Sequence, residues 1–150
     1  MPNARISCFV DTNILIYTVD PAEPEKRQQA VGWLTRVIRS HTLVLSPQSL
    51  NECYRAVTDR RGLMPRADAR RFIAALAPFC SAPAGFVVSR EAWRIQDAFA
   101  FGWWDCLLLA AASLAHCGIF LSEDMKHQQR LGELTILDPF KLDPESSLPV

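Results

Sequence analysis

Short apolar runs rich in strand-forming residues alternate with longer segments whose apolar positions recur at helical spacing. This alternation narrows the fold more than any other feature of the chain. The runs are Ile6–Val10 (ISCFV), His41–Ser46 (HTLVLS), Phe86–Ser89 (FVVS), Ile119–Ser122 (IFLS) and Leu134–Leu137 (LTIL). Between them, a helical pattern opens at Ile14 and another runs over Glu25–Arg39, where Ala30, Val31, Trp33, Leu34, Val37 and Ile38 share a side. A third helix starts at Ser46-Pro47, with proline near its first turn. Ala67–Phe79 is a fourth, and Ser89 is placed to cap a fifth over Glu91–Phe101, which Gly102 ends. Trp104-Asp105 opens the most apolar helix, Cys106–Cys117 (CLLLAAASLAHC), and Gly118 closes it; a short helix is expected over Met125–Leu131. Strands alternating with helices predict an α/β protein with a mostly parallel sheet covered on both faces.

In such a sheet the ends of the strands matter most, because ligands bind outside their carboxyl edge. Acids recur at that edge. Asp11 follows the first strand, and Glu52 lies early in the helix after the second. Asp105 opens the apolar helix, and Asp124 follows IFLS. Singly, each has an ordinary explanation: Asp11 or Thr12 and Asp105 as helix caps, Glu52 as a solvated helix residue, Asp124 as a turn residue. Glu123 competes with Asp124 for the strand end, and Asp124 is preferred, with Glu123 auxiliary. Together they predict one pocket. Four converging carboxylates repel one another unless some are protonated or a cation sits between them. Oxygen donors without a His/Cys cluster suit Mg²⁺ or Mn²⁺ rather than zinc. A carboxylate-held Mg²⁺ at an open cleft suits phosphoryl chemistry. Thr12, Asn13 and Ser122 are candidates for fixing the carboxylates or touching a phosphate, alongside their plain reading as turn and cap residues.

Composition excludes several alternatives. A chain of 150 residues, 49% hydrophobic and 21% charged, is expected to form one folded domain, assigned to 1–142, with a frayed tail over 143–150. Lys and Arg number 16 and so do Asp and Glu, so any nucleic-acid contact must come from a local patch. The five cysteines are widely spaced without C-x-x-C, which argues against structural zinc and for a reducing, cytoplasmic setting. MPNARIS lacks the apolar core of a secretory signal, and no run reaches membrane-spanning length, so no membrane association is expected.

The segments FVDTNILIY, SLNECY, WWDCLLLAAA and FLSEDM resemble, in order and spacing, the four blocks of the PIN-domain family, and most closely those of bacterial VapC-type toxins. The resemblance runs from about Ile6 to Phe140. It implies an α/β/α sandwich and a Mg²⁺- or Mn²⁺-dependent endoribonuclease whose acids are Asp11, Glu52, Asp105 and Asp124, with Asp11, Asp105 and Asp124 as metal ligands. It also implies cleavage that leaves a 5′-phosphate, a cognate antitoxin and a homodimer. Trp103-Trp104 departs from the usual small or polar residue ahead of a single Trp, which bears on the groove wall.

Local charge adds a weaker signal for contact with RNA or an antitoxin. Arg55, Arg60, Arg61, Arg66, Arg70 and Arg71 crowd the two helices after the second strand, facing only Asp59 and Asp68. Phe99, Phe101, Trp103 and Trp104 are candidates for base stacking or for core, with core favoured for at least half. A haloacid-dehalogenase-like phosphatase needs a second Asp two residues after Asp11, where this chain has Asn13. A receiver domain needs acids that do not line up here. A housekeeping RNA-processing nuclease and a non-catalytic binding module of the same fold are the alternatives.

Overall fold

The computed structural model describes residues 5–143 and residue 148. Five strands form one sheet in the order β2-β1-β3-β5-β4: β1 (Ser7–Val10), β2 (Thr42–Val44), β3 (Ile119–Leu121), β4 (Arg130–Leu131) and β5 (Leu134–Leu137). All neighbours are parallel except the β4–β5 hairpin. In register, Cys8 lies opposite Leu43 on one side and Ile119 on the other.

Strand alternation sorts the interior into two layers. Cys8, Val10, Leu43, Ile119 and Leu121 face a core completed by α1 (Thr12–Tyr17), α2 (Pro24–Ser40), α3 (Pro47–Arg55) and α4 (Arg66–Leu76). Phe9, Val44, Phe120 and Ile136 face the other core, built with α5 (Phe86–Ala98) and α6 (Trp103–Leu114). There Phe9 and Phe120 stack across adjacent strands with centroids 5.1 Å apart. The Trp33 indole N–H on α2 donates to the Pro139 carbonyl at 2.9 Å, tying the helix to the segment after β5. The result is the expected α/β/α sandwich.

The helices start where local chemistry directs. Ser46 caps α3 through a reciprocal box with Ser49, and Pro47 occupies the first turn. The expected apolar helix is α6, whose Leu108–Ala112 are all buried. His116, at φ 57°, turns the chain out of it, so Cys117 falls outside. Of the cysteines, Cys8, Cys53, Cys106 and Cys117 are buried free thiols. Burial pushes Cys53 and Cys117 up to about 12, so they behave as small hydrophobes. Among the described residues no single helix is long and apolar enough to cross a membrane. The expected tail lies largely outside the described residues; Leu148 is buried in the first core.

Two segments depart from expectation. Phe86–Ser89 is the start of α5, not a strand, and Ser89 lies inside that helix rather than at its cap. The place beside the end of β2 is taken instead by the chain near Cys80, since Leu45 donates to Phe79 and accepts from Ala82. Gly85, at φ 92°, then turns the chain into the helix. Met125–Leu131 is not helical either. Gln128, at φ 68°, breaks any helix there, and its N–H and the Gln129 carbonyl bond to Ile136 as the hairpin begins. Gly132, at φ 59°, makes the tight turn into β5.

Candidate active site

The site lies at the carboxyl edge of β1, where the sheet grows outward to β2 on one side and β3 on the other. Four chain segments reach it. The β1–α1 turn brings Asp11, Thr12 and Asn13, and the segment after β3 brings Ser122 and Asp124. α3 starts at the same edge after β2, and α6 runs antiparallel to the strands into β3, so its first turn lies there too.

The turn itself sets Asp11. As N-cap of α1 it accepts the Thr12 backbone N–H on Oδ1 at 2.7 Å, and its own N–H donates to the Leu121 carbonyl at 2.9 Å. Its Oδ2 accepts the Ser122 hydroxyl at 2.8 Å. Thr12 Oγ1 donates to Glu52 Oε2 at 3.2 Å, and Gln48 Nε2 donates to Glu52 Oε1 at 2.8 Å. Asn13 Nδ2 donates to Asp124 Oδ2. Asp105 lies in the first turn of α6, whose N-cap is Gly102, so the capping explanation for Asp105 does not hold.

These side chains line one cleft of about 620 Å³. Asp11, Glu52, Asp105 and Asp124 share its wall with Thr12, Asn13, Gln48, Asn51, Arg55, Arg60 and Trp104. All four predicted acids are therefore together. Their electrostatics carry the mark of crowding. Burial pushes the Asp11 carboxyl up to about 6; the Ser122 and Thr12 hydrogen bonds pull it back, while Asp105 and Asp124 push it further. Asp105 is raised by burial and then by the charges of Asp124 and Glu52.

Glu123 faces elsewhere. It pairs with Lys26 and accepts the Tyr17 hydroxyl at 2.5 Å. Burial works against its charge, but those two partners outweigh burial and hold it below the usual carboxylate range. Of the arginines, Arg55 and Arg60 line the cleft, and Arg61 lies in an adjoining groove. Arg70 and Arg71 are exposed on α4 and are not among the cleft's lining residues; Arg71 pairs with Asp68. Phe99, Phe101 and Trp103 pack against the second core, while Trp104 stands 65% exposed at the cleft. Gln48 was not predicted. It bridges Glu52 to the Trp104 carbonyl, and its position four residues before Glu52, on one helix face, is the signal that could have found it.

The cleft's donors are oxygens, the kind a hard divalent cation takes. Among the described residues no three His, Cys, Asp or Glu side chains form a closed metal cage. An ion in the cleft would rest on one or two carboxylates and complete its shell with water, the usual manner of Mg²⁺. Asp11, Asp105 and Asp124 all line the cleft from which such carboxylates would come.

Residues 8–134 match the family model for the PIN domain. The chain belongs to the PIN-domain family. Members are generally nucleases, which makes nucleic acid the substrate class of this PIN domain. No curated protein matches it significantly. Among solved structures it is similar to VapBC2 from Rickettsia felis bound to a DNA fragment from their promoter. The match has a TM-score of 0.59 at 15% identity and covers 87% of this chain and 97% of that one. At that identity the likeness is one of fold, and the PIN fold is what the two share.

Proposed function

We propose that this PIN domain is a divalent-cation-dependent endoribonuclease, the toxin of a toxin–antitoxin pair. The observation that carries the reading is the gathering of Asp11, Glu52, Asp105 and Asp124 on one cleft whose wall also holds Arg55 and Arg60. Asp11, Asp105 and Asp124 would hold Mg²⁺ or Mn²⁺, directly or through water, which would supply an acidified water and charge neutralisation on the reacting phosphate. Glu52, fixed between Thr12 and Gln48, orients the attacking water and takes its proton. In-line attack on phosphorus breaks the bond to the 3′ oxygen, leaving a 5′-phosphate and a 3′-hydroxyl, and the 2′-hydroxyl takes no part. Arg55 and Arg60 hold the flanking backbone.

The toxin reading draws support from the solved toxin–antitoxin structure of the same fold. It carries with it a protein antitoxin, a homodimer and a cytoplasmic setting. The test is cleavage of total cellular RNA in Mg²⁺, Mn²⁺ or EDTA, with the cut ends mapped. Cleavage with either metal, 5′-phosphate ends, and its loss in EDTA and in Asp11→Ala are expected. Undiminished cleavage in EDTA or by Asp11→Ala refutes the assignment.

A further inference from the structure

The acid cleft does not end at Arg60. A second groove of about 340 Å³ adjoins it, lined by Asn13, Ile16, Tyr17, Ala56, Arg60 and Arg61, and four of these residues also line the cleft. The two lobes have opposite character. The cleft holds four carboxylates, whereas the groove's lining has two arginines and no acid.

An irregular turn of helix makes the groove. After Arg55 the chain leaves α-helical geometry for a π-helical turn over Ala56–Arg60, closed by the Arg61 N–H donating to the Ala56 carbonyl at 2.9 Å. In an α-helix, residues five apart point about 140° away from each other. Hydrogen bonding from i to i+5 brings them toward one face. Arg55 and Arg60 thus line the same cleft, and Arg61 is carried to its continuation. Such turns are frequent at functional sites.

Arg61 is also held in place. Its guanidinium meets Asp20 Oδ2 at 3.1 Å, and Asp20 Oδ1 accepts the Ala22 N–H at 2.9 Å. Asp20 is 2% exposed and Arg61 45%, so one edge of the guanidinium is anchored in protein and the remainder faces the groove and solvent. A planar fork oriented in this way suits an oxyanion such as phosphate.

We propose that this groove is a backbone-phosphate subsite for single-stranded RNA. Arg60 and Arg61 bind the phosphate next to the one being cut, and Asp20 is the residue that positions Arg61. The proposal rests on the nuclease reading and adds the direction of the strand, from the acid cleft toward the π-helical turn. An acidic segment of a protein partner is the competing occupant. RNA is favoured because the groove continues a cleft already suited to a phosphodiester.

The test is binding of a short fluorescent single-stranded RNA in EDTA, read by anisotropy between 50 and 200 mM salt, the range over which lost phosphate contacts become visible. Arg60→Gln and Arg61→Gln are compared with wild type and with Arg90→Gln on α5. The double variant Asp20→Asn/Arg61→Gln removes the ion pair as a unit, leaving no lone buried carboxylate to unsettle folding. Each groove variant is expected to weaken binding about tenfold at low salt and to reduce the slope of log affinity against log salt by about 0.7. Arg90→Gln should match wild type. In Mg²⁺, KM should rise in Arg61→Gln and in the double variant while kcat stays near wild type. Wild-type affinity and slope in the groove variants, or an equal loss in Arg90→Gln, overturns the subsite while leaving the nuclease reading intact if wild type cleaves. Loss confined to binding of an oligoglutamate peptide overturns it in favour of a protein partner. A wild type that neither binds nor cuts RNA overturns both.

Discussion

Asp11 holds a charge its surroundings oppose, and replacing it with asparagine should make the metal-free protein more stable. The side chain is 6% exposed, and its carboxyl is pushed up to about 6 from an ordinary 3.8. That gap favours the neutral form in the fold by about 3 kcal/mol. Because the folded value lies above the unfolded one, the folded protein holds the extra proton between those two values. Stability then falls as pH rises from about 4 through 6, and the whole penalty is present at neutral pH. Asn keeps the acceptor for the Thr12 N–H, and its amide can donate to Ser122 Oγ. The Ser122 proton loses its acceptor, at a cost of about 1 kcal/mol. The net expectation is about 2 kcal/mol of added stability at pH 7.5 in EDTA, or a rise in Tm of about 4–8 °C. The gain should vanish near pH 4, where Asp11 is already neutral in the fold. Mg²⁺ should raise the wild-type Tm by mass action and leave Asp11→Asn unmoved. Thermal melts at several pH values, with EDTA or Mg²⁺, read all of this. A variant no more stable than wild type at pH 7.5 in EDTA, or an advantage that persists unchanged at pH 4, would falsify the reasoning.

The other acids and their partners should respond differently. Asp11→Glu should destabilise by about 1–3 kcal/mol, because both oxygens are committed inside a closed turn, whereas Asp105→Glu, half-buried beside open space, should melt near wild type. Thr12→Val keeps the shape and the backbone bond to Asp11 but removes the donor to Glu52; urea melts should change little while cleavage falls about tenfold or more. Lys26→Met breaks a partly exposed pair with Glu123 and should cost under about 1 kcal/mol by the same melts. Trp104→Ala should leave the melt near wild type and weaken binding of single-stranded RNA by about 1–3 kcal/mol by anisotropy, since this indole stands exposed at the cleft.

The sequence made the sheet and the site edge legible because both rest on short-range pattern. Four of the five strands coincide with apolar runs bounded by polar or turn residues, and the capping chemistry of Asp11 and Ser46 is local. The misread segments are those where a neighbour elsewhere in the chain decides. FVVS has the composition of a strand, yet the edge beside β2 is occupied by the residues around Cys80, so Gly85 releases it into a helix. Met125–Leu131 has helical spacing, but pairing with β5 claims its backbone. The π-helical turn at Ala56–Arg60 was illegible for another reason. Nothing in AVTDR distinguishes it from an α-helix, and in the fold it is accompanied by the Leu63 and Met64 N–H groups folding back onto the Val57 carbonyl.

The polar residues between the acids set the form of the cleft. Thr12 donates to Glu52, Asn13 to Asp124 and Ser122 to Asp11, so each of three acids has a donor from another chain segment. All three donors come from the turns leaving β1 and β3, which are adjacent parallel strands. The β1–β3 register, Val10 beside Leu121, thereby aligns Ser122 with Asp11 and Asn13 with Asp124, while Glu52 comes from α3 and is tied in through Thr12. Asp105 is held differently. It reaches the cleft from the first turn of α6, and among the described residues no hydrogen bond to its carboxylate fixes its rotamer. Three acids held by hydrogen bonds and one without such a bond would suit a cation whose shell must change as the phosphate geometry changes. In such a site the hydrogen-bonded acids would fix the place of an ion, and Asp105 would adjust to it.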